Sequence, residues 1–224
     1  MKIRFVTEGS INEYWESSPP CDCDVLFFGF NGLGGVDYRA ELDGTTSKLE
    51  DLALLSRELG CVVVSGCLTD SCGIRHKSAA VAEGGKILGV ADMLSAGEGE
   101  PYSCGAHLKV FETRAGKLGV CVGEDIYRPS FAEALALFDA DVILSVFGGA
   151  EDSVPQLMMR ACAFSAGVPV CMCADGLAQA AATDGDVLLR CIRKECLLDL
   201  RLTRTYRLTT RRTRGFSRRI REDF

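Results

Sequence analysis

Apolar residues along this 224-residue chain come in short runs separated by polar turns. Lys2–Thr7 alternates apolar and polar positions, the period of a half-buried strand. Asp24–Phe30 is almost wholly apolar and is broken by Gly32, Gly34 and Gly35, which predicts a buried strand followed by a loop. In Thr45–Leu59 the apolar residues fall at 49, 52, 54, 55 and 59, the spacing of a helix with one buried face. Thr46 or Ser47 is placed to cap it, Glu50 and Asp51 suit its first turns, and Gly60 ends it. Cys61–Cys67 then returns as a buried strand. Lys77–Ala82 and Lys86–Ala91 flank Glu83-Gly84-Gly85, a hairpin signal. Leu108–Glu112 and Lys117–Val122 flank a second turn at Arg114–Gly116. Ser130–Phe138 and Val154–Ala166 read as helices, and Asp141–Phe147 and Val168–Cys173 as strands after them. Asp184-Gly185 joins Ala180–Thr183 to Val187–Arg193, and Cys196–Leu202 closes the pattern. Hairpins alternating with strand–helix–strand units predict an α/β protein of two packed sheets with helices outside. We divide the chain into one domain, residues 1–202, and a C-terminal arm, residues 203–224.

Composition narrows this picture. With 47% hydrophobic residues, the chain buries one sizeable core. No apolar run approaches the ~20 residues that span a bilayer, and Met1–Glu8 lacks the apolar stretch of a signal peptide, so a cytoplasmic protein without membrane contact is expected. The net charge of −6 is uneven: residues 201–224 carry nine arginines against Glu222 and Asp223, leaving −13 on residues 1–200. The arm lacks interleaved aromatics and any groove-reading motif. Docking on an acidic neighbour or a partner subunit is therefore expected rather than nucleic-acid binding. Most of the twelve cysteines lie inside apolar runs, where a free thiol behaves as a small buried hydrophobe. Cys21/Cys23 and Cys171/Cys173 form Cys-x-Cys pairs, but no Cys-x-x-Cys occurs and His76 and His107 are isolated. Neither a metal site nor a cofactor is expected.

The most specific stretch is Gly116-Lys117-Leu118-Gly119-Val120-Cys121-Val122-Gly123-Glu124-Asp125, with Pro129 shortly after. It resembles the nucleophile segment of the nitrilase (carbon–nitrogen hydrolase) superfamily, roughly Gly-Lys-Ile-Gly-Val-x-Ile-Cys-x-Asp. Further pieces fall in the family's order: Asp24–Phe28, Lys77–Val81, Gly84–Gly89, Val110–Thr113, Arg160-Ala161 and Asp184–Leu188. The resemblance implies a four-layer α-β-β-α sandwich that commonly dimerises through helices. It also implies a Glu base, a Cys nucleophile and a Lys that together cleave amides or nitriles.

Carried over position by position, the resemblance puts Gly123 at the nucleophile, Phe30 at the Glu and Met93 at the Lys. All three chemical groups are absent, so the chain reads as a catalytically degenerate homologue with a binding, regulatory or scaffolding role, expected as a homodimer with a candidate small-molecule ligand. The alternative is an amidase or nitrilase that uses a non-standard nucleophile such as Cys121, which a strand's period of two places on the face of Gly123. Glu124, Asn31 and Arg128 are the weaker ligand candidates, whereas Asp125 is expected to bond backbone. Gly29–Gly35 lacks the third glycine of a dinucleotide fingerprint, since Asp37 stands there. Glu98, Glu100 and His107 are expected at the surface.

Overall fold

The computed structural model describes residues 1–17, 22–97, 99–149 and 153–202. The proposed arm, Glu98 and Cys21 lie outside the described residues. The elements run β1 (Lys2–Val6), α1 (Ile11–Ser17), β2 (Val25–Phe28), β3 (Gly34–Asp37), α2 (Tyr38–Leu42), α3 (Lys48–Leu59), β4 (Val62–Ser71), β5 (Ile74–Glu83), β6 (Lys86–Asp92), β7 (Lys109–Thr113), β8 (Gly116–Val122), a 3₁₀ turn (Gly123–Tyr127), α4 (Pro129–Leu137), β9 (Val142–Gly149), α5 (Val154–Ala166), β10 (Val170–Asp175), β11 (Leu177–Ala181), β12 (Val187–Cys191) and β13 (Glu195–Asp199).

Among the described residues these strands form two sheets. One has the order β13-β1-β2-β4-β5-β6, with β3 also paired to β4; the other has the order β12-β11-β10-β9-β8-β7. The sheets face each other across an apolar layer that includes Phe5, Phe27, Val64, Val81, Val120, Val122, Leu144, Val146 and Cys173. The outer face of the first sheet packs on α1 and α3 through Ile11, Tyr14, Leu52 and Leu55. The outer face of the second packs on α4 and α5 through Leu135, Ala136, Met159 and Ala163. Strands buried on both faces explain why Val25–Phe28 reads as a continuous apolar run: all four residues are buried. The α-β-β-α order matches the expected fold class.

Helix α3 departs from the sequence reading at its start. Ser47 precedes it but makes no side-chain capping bond. Instead Glu41, from the short α2, accepts hydrogen bonds from Lys48 N (3.1 Å) and Leu49 N (2.9 Å), satisfying two open N–H groups. The last strand pairs with the first: β13 lies antiparallel to β1, and the Met1 amino group donates to Leu200 O at 3.0 Å.

Candidate functional site

The site is built where β8 ends. Val120 and Val122 face the inter-sheet layer, and Cys121 faces α4 and α5. Strand alternation stops at the next residue, because Gly123 adopts φ +54°, a left-handed conformation that turns the chain into the 3₁₀ segment. A Cβ on Gly123 would point back into the inter-sheet layer, 2.9 Å from Met93 Sδ and 3.5 Å from Lys77 Cδ. Cys121 and Gly123 therefore present to opposite sides of the sheet. The expectation that they share a face assumed that the strand continues through residue 123.

Met93 is fully buried. Its backbone is clamped on both sides: its N–H donates to Lys77 O and its carbonyl accepts from Gly105 N, each at 2.8 Å. Phe30 also packs on the inter-sheet core. It sits over Gly66, where a Cβ would lie 2.9 Å from Phe30 Cα and 2.5 Å from Val146 Cγ1. Gly66 thus lets Phe30 and the opposite sheet approach closely. Residues 30, 93 and 123 thus offer a phenyl ring, a thioether and no side chain.

Just outside Met93 the character reverses. Lys77 Nζ donates to Glu124 Oε1 (2.9 Å) and Oε2 (3.1 Å) and lies 3.1 Å from Glu100 Oε2. It also stands 5.3 Å from the centre of the Tyr102 ring, with Arg75 at 5.8 Å from the same ring. Burial pulls the Lys77 pKa down, but the bonds from Glu124 and Glu100 outweigh it and leave the ammonium more firmly protonated than usual. A lysine held in this way carries charge and does not act as a nucleophile. Among the described residues its polar partners are carboxylates, and no thiol joins them.

Asp125 is buried and accepts hydrogen bonds from Leu94 N (3.0 Å) and Ser95 N (2.8 Å), tying the turn to the segment after β6. Burial holds its carboxyl above the usual range, against the pull of those N–H donors. The remaining candidates are scattered. Asn31 is exposed and lines a surface hollow with Ser10, Asn12, Leu33 and Lys48, beside α1 and α3. Arg128 is exposed at the start of α4, and His107 is exposed before the edge strand β7. The Cys121 thiol is buried, and burial raises its pKa well above the usual thiol value, with Asp125 adding to the shift. Of the ligand candidates, only Glu124 adjoins Gly123. Lys77 and Glu100 complete its cluster. Arg75 and Lys77, spaced by two ahead of the apolar Ala79–Ala82 run of β5, were the sequence signal for a charged rim there. Among the described residues, no group of three or more His, Cys, Asp and Glu side chains is arranged to hold a metal ion, and no helix is long and apolar enough to cross a membrane.

Two facing sheets, helices on both outer faces and a sharp strand-to-turn junction at the sheet end define a nitrilase-type sandwich. The chain belongs to the carbon–nitrogen hydrolase family, whose model matches residues 11–192. Among solved structures, it is similar to a cysteine-to-alanine variant of the Nesterenkonia AN1 amidase from the nitrilase superfamily, at 18% identity and a TM-score of 0.73 over 89% of this chain and 90% of that one. A glutamate-to-glutamine variant of the amidase from Nesterenkonia sp. AN1, with acrylamide added at its active-site cysteine, aligns at 18% identity and a TM-score of 0.75, over 90% and 93% of the two chains. At such identities the likeness is one of fold. No curated protein matches the sequence.

Proposed function

We propose that this chain is a catalytically degenerate carbon–nitrogen hydrolase that serves as a cytoplasmic binding, regulatory or scaffolding subunit. One observation carries the reading. The space into which a side chain at residue 123 would project is already taken by the Met93 thioether, in a fully buried position. Hydrolysis on this scaffold needs a thiolate with a base and a cation beside it. Burying an unpaired carboxylate or ammonium at 30 or 93 would be costly, whereas a phenyl ring and a thioether fill the volume without that cost. The alternative, an amidase using Cys121, is less well supported. That thiol is buried, its proton is held tightly, and it faces the helices rather than Lys77 and Glu124.

The test is a panel of simple amides and nitriles assayed with the unmodified chain and with Gly123→Cys. No turnover by either is expected. Turnover by the unmodified chain that Cys121→Ser abolishes would overturn the reading. A binding role further predicts thermal stabilisation in a metabolite screen, and a ligand would enter beside Glu124 rather than at the filled position.

The homodimer belongs to the same proposal. Helices α4 and α5 pack side by side and leave Leu137, Phe138, Val154 and Leu157 exposed, which favours a second copy on that face. Sedimentation should give twice the chain mass, and Leu157→Glu should lower it to one chain. The arm is proposed to dock on a subunit face. A chain lacking residues 208–224 with an unchanged oligomeric mass would count against that.

A further inference from the structure

The described residues include eleven free cysteines, and two of them differ from the rest. Cys61, Cys67, Cys121, Cys162, Cys171 and Cys173 are buried. Cys191 and Cys196 are half-buried, and their thiols lie within hydrogen-bonding reach of each other. Cys191 ends β12 in the six-stranded sheet, while Cys196 lies on β13 in the opposite sheet. Both pack at the margin of the inter-sheet core beside Leu189 and Leu198. The short link between them is also tied to the end of β1. Thr7 N donates to Lys194 O at 2.9 Å, and Thr7 Oγ1 donates to Arg193 O at 2.9 Å. The backbone therefore brings two partly accessible thiols together where the chain passes from one sheet to the other.

We propose that Cys191 and Cys196 are a redox-active dithiol that oxidises to an intramolecular disulfide, joining the final strands of the two sheets. The roles of the two sulfurs follow from their surroundings. Cys191 Sγ accepts a hydrogen bond from Arg193 N at 3.4 Å, with the exposed Arg193 and Lys194 two and three residues further on. Cys196 keeps its proton: burial, then the contact with Cys191, pushes its pKa up to about 12. With hydrogen peroxide as oxidant, Cys191 gives up its proton and its thiolate attacks one peroxide oxygen; the O–O bond breaks, the other oxygen leaves as hydroxide and takes up that proton as water, and a sulfenic acid remains. The Cys196 sulfur then attacks the sulfenic sulfur, the S–S bond forms, and the hydroxyl leaves as a second water. Two electrons pass from the two thiols to the peroxide, and a dithiol reductant returns them. The inference is independent of whether the chain hydrolyses anything.

The test treats the full chain with hydrogen peroxide, quenches with N-ethylmaleimide and maps the peptides by mass spectrometry. Arg193 and Lys194 are tryptic sites between the two cysteines, so the disulfide joins two separate peptides. Linked peptides two hydrogens lighter than their sum, with N-ethylmaleimide labelling lost at both positions together and restored by dithiothreitol, are expected. Cys196→Ser should leave Cys191 as a sulfenic acid that dimedone captures, and Cys191→Ser should leave Cys196 fully alkylated. Oxidation of the exposed Cys72 and Cys104 while Cys191 and Cys196 both remain alkylatable would overturn the proposal, as would pairing of Cys196 with the neighbouring Cys173.

Discussion

The two sides of residue 123 follow opposite rules. On the inner side, Phe30 and Met93 are apolar and pack into the layer between the sheets. On the outer side, only a residue away, Glu124 joins Glu100, Lys77 and Tyr102 in a cluster that keeps its charges. Solvent access explains the contrast. Lys77, Glu100 and Glu124 retain 17%, 32% and 30% of their side-chain exposure, so their ionised forms stay hydrated as well as paired. Met93 has no exposure at all, and a charge there would need partners that the layer does not offer. The contrast teaches that charged groups gather at the mouth of this fold and apolar ones at its interior end.

Substitutions on either side of residue 123 put this contrast to the test. The largest effect is expected from Asp125→Ala, in the turn between the two sides. Removing the carboxylate strands the part-buried N–H groups of Leu94 and Ser95 and should cost about 3 kcal/mol in urea denaturation. A loss below about 1 kcal/mol would show that this anchor matters little. Gly123→Ala comes next, at about 2–3 kcal/mol, from the left-handed backbone and the crowding of Met93 Sδ. In the double variant with Met93→Ala the two losses should fall short of their sum, by about 1 kcal/mol. Strict additivity would mean that Met93 does not occupy that space.

Lys77→Met, on the outer side, should cost no more than about 1 kcal/mol. Its pH dependence is the sharper readout. The Lys77 pKa is raised above 10.5 in the folded chain, so its stabilising contribution is complete below that pH and is lost as pH rises through the folded value. The gap between the unmodified chain and the variant should therefore be constant from pH 7 to 9 and close above about pH 10.5. A gap that widens with pH would contradict the pairing. The smallest effect is a lack of one: iodoacetamide should label Cys72 and Cys104 in the folded protein and leave Cys121 unmodified. Fast labelling of Cys121 would revive its candidacy as a nucleophile.

Periodicity and turn chemistry made most of the fold legible. The hairpin at Glu83-Gly84-Gly85, the helix Val154–Ala166 and the strand through Val122 all appear where the pattern predicts. Short elements escaped it. Helix α1 has seven residues and α2 five, too few for a period to show, and β3 is half glycine. The turn between β4 and β5 was missed because Cys72, at φ +54°, stands where Gly or Asn would have signalled it. At the site, residues 30, 93 and 123 were singled out from sequence, but the facing of Gly123 relative to Cys121 was not legible there. It depends on one backbone angle at Gly123, and a glycine in sequence does not declare which conformation it takes. The Lys77–Glu100–Glu124 cluster joins residues up to 47 apart through side-chain reach, which no local pattern encodes.

The pairing of β13 with β1 has a consequence for synthesis. Strand β1 is made before its partner, which is laid down some 190 residues later. Until then one edge of β1 has open N–H and C=O groups, able to take a strand from another nascent chain. Completion of this sheet therefore waits for Glu195–Asp199.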